Sequence, residues 1–320
     1  MSTTTKQVRK FALAISLITS VTLVLASCST SNYGVDANPA TSKYVIEQFD
    51  KNDGQFLAPF SAGQAEPGLT LESMIHLGAL GYDKAEQKKA VDWATSNTAL
   101  LTSPGLKATY IFAAHALGFA DDATVSQVLT ELKASISDDG SVEATNNFSY
   151  GWVIFALLAS DEDALANSVA VKLTTFSETG GAFKYTQNDA ASSETADVTS
   201  IALLALKATE GLGTGEDEAA KAFAISKVTT WLTENLVDGS HYESFGSLDV
   251  SGTAYAIMAL QSLGQDIEKQ QEWLTGRINA KDGGVLSPWT EPESDTFSSA
   301  QSLLPLSKLS FLDVLKNLAN

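Results

Sequence analysis

Apolar residues run along this chain in two alternating rhythms. In the first they recur at three- and four-residue spacing with charge between them, as in Val228, Trp231, Leu232 and Leu236, or Ile267, Trp273 and Leu274. Such spacing gives a helix one buried stripe and one wet face. In the second rhythm the run is apolar or small nearly all round, as in Ile201-Ala-Leu-Leu-Ala-Leu206 or Tyr255-Ala-Ile-Met-Ala-Leu260, which suits a helix covered on every side. Six helices of this second kind are predicted, at 69–80, 106–117, 149–158, 198–206, 250–260 and 297–306. Turn glycines precede them at Gly54, Gly105, Gly140, Gly181, Gly239 and Gly284, at intervals scattered around ~46 residues, which is room for two helices and two loops. Each unit therefore reads as a hairpin with a solvated outer helix and a buried inner one.

Three inner helices open on nearly the same string: Asp197-Val-Thr-Ser-Ile-Ala202, Asp249-Val-Ser-Gly-Thr-Ala254 and Asp295-Thr-Phe-Ser-Ser-Ala300. A unit of this length cannot bury its own core, so the hairpins must stack into an open superhelix or close into a ring. Gly180-Gly-Ala-Phe-Lys-Tyr185 and Asp282-Gly-Gly284, each followed by Asp-x-x-Ser/Gly-x-Ala and a Leu/Ala helix, resemble the repeats of the α/α-toroid superfamily. That superfamily includes terpenoid cyclases, protein prenyltransferase β subunits, the thioester domain of complement proteins and the helical domain of vitamin B12 carriers. The resemblance runs from about Tyr44 to Leu318. It implies an all-α fold over residues 42–320, an (α/α)6 toroid of six helical hairpins with one funnel-shaped cavity.

Residues 1–27 stand outside this pattern. Lys6, Arg9 and Lys10 precede an apolar stretch from Phe11 to Leu25, and Leu25-Ala26-Ser27-Cys28 follows at once. The arrangement resembles a bacterial lipoprotein signal peptide, too short and wrongly flanked for a membrane span. The resemblance implies cleavage before Cys28 and a lipid on its sulfur that anchors the protein to the outer side of a membrane. Residues 28–41 then read as the lipidated Cys and a flexible tether, rich in Ser, Asn, Thr, Gly and Pro.

Charge narrows the partners. Without the leader's three basic residues the balance is 17 basic against 38 acidic, a net charge of −21. A surface of that sign repels polyanions, and nucleic acid is not expected as a partner.

Chemistry is limited by what the chain lacks. Cyclases of the squalene–hopene type use an Asp-x-Asp-Asp motif, which is absent; the nearest string, Asp161-Glu-Asp163, precedes an outer helix and suits its N-terminus. Prenyltransferases bind zinc through an Asp, a Cys and a His, and Cys28 is the only cysteine. A thioester fails for the same reason. Terpene cyclase and zinc prenyltransferase activities are therefore not supported, and no catalytic residue, metal or cofactor is expected.

There remain acids read as inner-helix starts, Glu72, Asp197, Asp249 and Asp295, which a toroid would gather around one mouth. Helix capping and cavity lining are both open to them and do not exclude one another. His76 and His115 lie on the first two inner helices and could face the axis, whereas His241 reads as surface. Tyr110, Tyr150 and Trp152 fall in or at the start of inner helices, while Phe183, Tyr185, Tyr242 and Trp289 lie in turns. They either build a binding mouth or pack loops over the barrel end. The expected ligand-binding set is Glu72, His76, Tyr110, Tyr150, Trp152, Tyr185, Asp197, Tyr242, Asp249, Trp289 and Asp295. The function expected is non-catalytic recognition at the cell surface, of a small molecule or of a partner surface protein or transporter. By resemblance to B12 carriers a corrinoid is the best single candidate, although those carriers close over their ligand with a second, β domain that a partner chain would have to supply. The alternative is a glycan hydrolase or lyase using a pair of these carboxylates.

Overall fold

The computed structural model describes residues 38–319 except 53, 56–63, 83, 144, 188 and 190. The leader, Cys28 and most of the expected tether lie outside the described residues. Outer and inner helices alternate as anticipated. The outer set is α1 (Pro39–Lys51), α3 (Lys84–Ser96), α5 (Ala123–Ala134), α7 (Asp163–Thr174), α9 (Gly215–Glu234) and α11 (Glu268–Gly276). The inner set is α2 (Pro67–Ala79), α4 (Pro104–Ala116), α6 (Asn147–Ala159), α8 (Ala196–Ala208) and α10 (Val250–Ser262), with a sixth member in two pieces, α12 (Thr296–Gln301) and α13 (Leu303–Leu306). A last helix, α14 (Phe311–Leu318), follows. The sixth inner helix breaks because Pro305 has no N–H to offer the carbonyl of Gln301, four residues back. Among the described residues no helix is long and apolar enough to cross a membrane.

Burial follows the two rhythms. On α5 only Val125, Val128 and Leu132 are buried, a single stripe. On α6 every residue from Ser149 to Leu157 is buried. Neighbouring inner helices pack side by side from α2 through α4, α6, α8 and α10 to α12, and α12 returns to α2. The ring is thereby closed. Small residues allow the close approach: a β-carbon at Gly151 would stand 2.6 Å from Ile201, and one at Gly105 would stand 2.3 Å from Ser149. Gly105, expected in a turn, is thus an α4 residue.

Three turns seat themselves against the next outer helix. Gly140, Gly181 and Gly283 adopt positive φ, where a side chain is strained. Added β-carbons there would lie 2.1 Å from the carbonyl oxygen of Ser168, 2.4 Å from that of Lys227 and 2.7 Å from that of Ala40. The third contact joins the last unit to the first helix, and it is Gly283, not Gly284, that has the positive φ. Thr41 strengthens the join by donating to the Gly283 carbonyl at 2.9 Å, and Tyr44 donates to the Ser294 carbonyl at 3.2 Å. The first described helix starts at Pro39, capped by Asn38, and the buried Thr41 is part of the closing seam where a tether was expected.

The axis is not open from end to end. α14 packs against α4, α6 and α8, and its Phe311 is fully buried. The Phe311 ring lies 4.9 Å from Trp152, 5.4 Å from His76, 5.6 Å from Phe155 and 6.0 Å from Tyr255. The ring is thus a plug on the axis. Phe311→Ala is expected to cost about 3–5 kcal/mol of stability, read by urea unfolding. A loss below about 1 kcal/mol would show that α14 is an appendage and not part of the core.

Candidate functional site

The N-caps of the inner helices are Glu66, Ser103, Asn146, Thr195, Asp249 and Asp295. Two residues beyond them stand Gly68, Gly105, Phe148, Asp197, Ser251 and Phe297; six beyond stand Glu72, Thr109, Trp152, Ile201, Tyr255 and Gln301. A four-residue step keeps both sets on one face of each helix. Gly68, Gly105, Phe148, Asp197 and Phe297 from the first set and Glu72, Thr109, Trp152 and Gln301 from the second line a cavity of about 430 Å³, joined by Glu66 and Tyr185. A second cavity of about 450 Å³ is lined by Asp249, Ser251, Trp289 and Asp295, and Phe297 is a wall of both. The mouth is at the N-terminal ends of the inner helices.

Beneath the first cavity lies a buried polar cluster. Tyr255 donates to Glu72 Oε1 at 2.5 Å, and the Gln301 amide favours the charged form of the same carboxylate. Burial outweighs these bonds and raises the Glu72 carboxyl to about 7, with the Asp197 and Glu66 charges adding to the rise. His76 donates from Nδ1 to the Ala300 carbonyl at 2.9 Å, which fixes the neutral tautomer. Its Nε2, without a hydrogen-bond partner among the described residues, is 3.8 Å from Glu72 Oε1. Burial holds the His76 pKa down to about 4. Asp197 is also raised, by burial first and then by the charge of Asp249.

The expected set divides. Glu72, Trp152, Tyr185 and Asp197 line one cavity, and Asp249, Trp289 and Asp295 the other; His76 lies a turn deeper, against Phe311. Tyr110, Tyr150 and Tyr242 do not reach the mouth. Tyr110 is fully buried and bonds to Thr95 on α3, Tyr150 accepts from the Val142 amide, and Tyr242 donates to the Leu232 carbonyl. Each ring points outward to fill the space between inner and outer layers. His115 does not face the axis either; it is partly buried at the far end of α4, beside Ser160. His241 is buried, not surface, with its ring stacked 4.8 Å from Trp273.

The acids prove to hold different stations. Asp249 and Asp295 are true caps, accepting from Gly252 N at 2.7 Å and Phe297 N at 3.0 Å. Asp197 lies two residues inside α8, whose cap is the extended Thr195, and accepts from Val198 N at 2.8 Å. Glu72 is in the second turn of α2, not at its start. Sequence reasoning missed Glu66, Phe148, Phe297, Tyr255 and Gln301. The usable signal was register: counting two and six residues from each cap finds the last four.

Among the described residues no three of His, Cys, Asp or Glu converge to hold a metal ion. No family model matches the sequence, and no curated protein does. Solved structures are similar. The type II terpene cyclase MstE from Scytonema shares 14% identity at a TM-score of 0.64, covering 85% of this chain and 97% of its own. Haptocorrin in complex with Cbi shares 14% identity at 0.58, covering 90% and 70%. The unsaturated glucuronyl hydrolase of Bacillus sp. GL1, responsible for glycosaminoglycan degradation, shares 9% at 0.63, covering 85% and 96%. At such identities the likeness shows the fold, an α/α toroid.

Glu72 and His76 act on stability in opposite directions. The folded chain keeps a proton on Glu72 that the unfolded chain releases, so stability falls as pH rises from 4.5 through about 7. His76 stays neutral when the unfolded chain takes a proton, so stability falls as pH drops from 6.5 to about 4. Glu72→Gln removes the alkaline loss alone. Between pH 5 and 8.5 the variant should gain on the wild type by up to about 3 kcal/mol in urea unfolding; an unchanged difference would show that Glu72 ionises freely in the fold.

Proposed function

We propose that this chain is a lipid-anchored binding protein of the cell surface, whose toroid holds a small molecule at its acidic, aromatic-rimmed mouth without transforming it. One observation carries this reading: the funnel is blind, stopped by Phe311 below and lined above by Phe148, Trp152, Tyr185 and Phe297. A blind recess with aromatic side chains in its wall and a few convergent polar groups is the usual form of a small-molecule site. The lipid anchor is read from the Leu25-Ala26-Ser27-Cys28 string alone, and with it goes the proposal that the site works on the outer side of the membrane.

A corrinoid is the first ligand to try, given the likeness to haptocorrin. A macrocycle of that size exceeds either cavity alone and would have to lie across both, over Phe297. A partner surface protein or transporter could then cover it. A second reading is a glycan hydrolase or lyase. It is favoured by the Glu72 carboxyl, poised near neutrality beside Asp197, as an acid and base pair requires, and by the likeness to the glucuronyl hydrolase.

Native mass spectrometry of the protein purified from its own envelope is expected to retain a small-molecule mass, and corrinoid addition to shift a corrinoid absorption band. Bare protein that instead cleaves unsaturated glucuronyl oligosaccharides, and loses that activity in Glu72→Gln, would replace binding with hydrolysis. Cys28→Ser should move the protein from the membrane fraction to the soluble one; retention on the membrane would remove the lipid anchor from the account.

A further inference from the structure

From the chemistry of its lining we infer that the mouth cavity binds an organic ammonium, a protonated amine carried on an apolar body. The inference rests on the reading of the mouth as a ligand site and names the class of ligand. Glu66, Glu72 and Asp197 bring three carboxyl groups to the wall, and no described lining residue is Lys, Arg or His. An anion would meet three carboxyl groups there and no basic side chain.

A second observation is independent of charge. Gln301 is 4% exposed and lines the cavity. Its Oε1 is buried and has no donor among the described residues. Buried acceptors are almost always satisfied, and an orphan costs about 1–3 kcal/mol. That oxygen is left without a donor. An ammonium group supplies three N–H donors and no acceptor, whereas a further carboxylate would add acceptors where acceptors are already in excess.

The walls fit the rest of such a molecule. Trp152 and Tyr185 line the cavity, and aromatic rings both attract a cation and cover an apolar body. About 430 Å³ is room for an amine bearing a single ring. A bare metal ion is a poorer match, since the carboxylates do not converge as a ligand shell.

Titration calorimetry of the purified mature protein with three isosteric probes tests this. 2-Phenylethylammonium is expected to bind roughly tenfold or more tighter than 2-phenylethanol, and phenylacetate not at all. Asp197→Asn should weaken the ammonium by a similar factor and leave the alcohol unchanged. Equal binding of alcohol and ammonium, or preferred binding of phenylacetate, would overturn the ammonium inference and leave the pocket standing. Calcium that displaces the amine at equal or lower concentration would overturn it in favour of a metal site. Binding of none of the probes would overturn it too, and the binding reading falls with it only if protein from the native envelope retains no small-molecule mass.

Discussion

Closure of the ring at the seam between the last turn and the first helix is the constraint on which the rest of the structure depends. No hairpin here can bury an all-round apolar helix such as α6 by itself. In an open array the end units would each show an uncovered face. The contact of Gly283 with Ala40, with Thr41 and Tyr44 bonded across the join, removes both ends at once. Six inner helices then share an axis and a level, which makes the register counted from each cap meaningful.

From that shared level the site follows. Helix N-termini assemble at one end, so the positions two and six past each cap become two stacked layers around the funnel. At the other end the Phe311 plug turns a channel into a recess and supports Trp152 from below. Burial imposed by this arrangement, more than any single neighbour, is what separates Glu72 from an ordinary surface glutamate and keeps His76 neutral. The polar cluster thus draws its properties from closure, although its residues come from α2, α10 and α12.

Much of the fold was legible because its signal is local. The inner helices declare themselves by composition, and observed ends fall within a few residues of those read from the sequence. Three features were not legible, each for a tertiary reason. α14 lies beyond the last helix read from the sequence, and nothing in 311–318 announces that Phe311 will enter the axis. The likeness of Asp197 to Asp249 and Asp295 suggested one role for all three, yet α8 starts two residues earlier, so Asp197 lines the funnel while the other two cap. The tyrosines at 110 and 150 lie on inner helices as expected, but which way a ring turns depends on the register against the outer layer. In a helix apolar all round, the sequence alone does not mark the axial face.

The central claim is that the mouth of the closed toroid, and not its outer wall, is the working surface. Hydrogen exchange of the mature protein, with and without a small-molecule extract of its host's envelope, tests this directly. Added protection should concentrate in the first two turns of α2, α6, α8 and α12 and leave the outer helices unchanged. Protection that appears instead on the outer wall, around the exposed Phe223 of α9, with the inner-helix N-termini unaffected, would contradict the account.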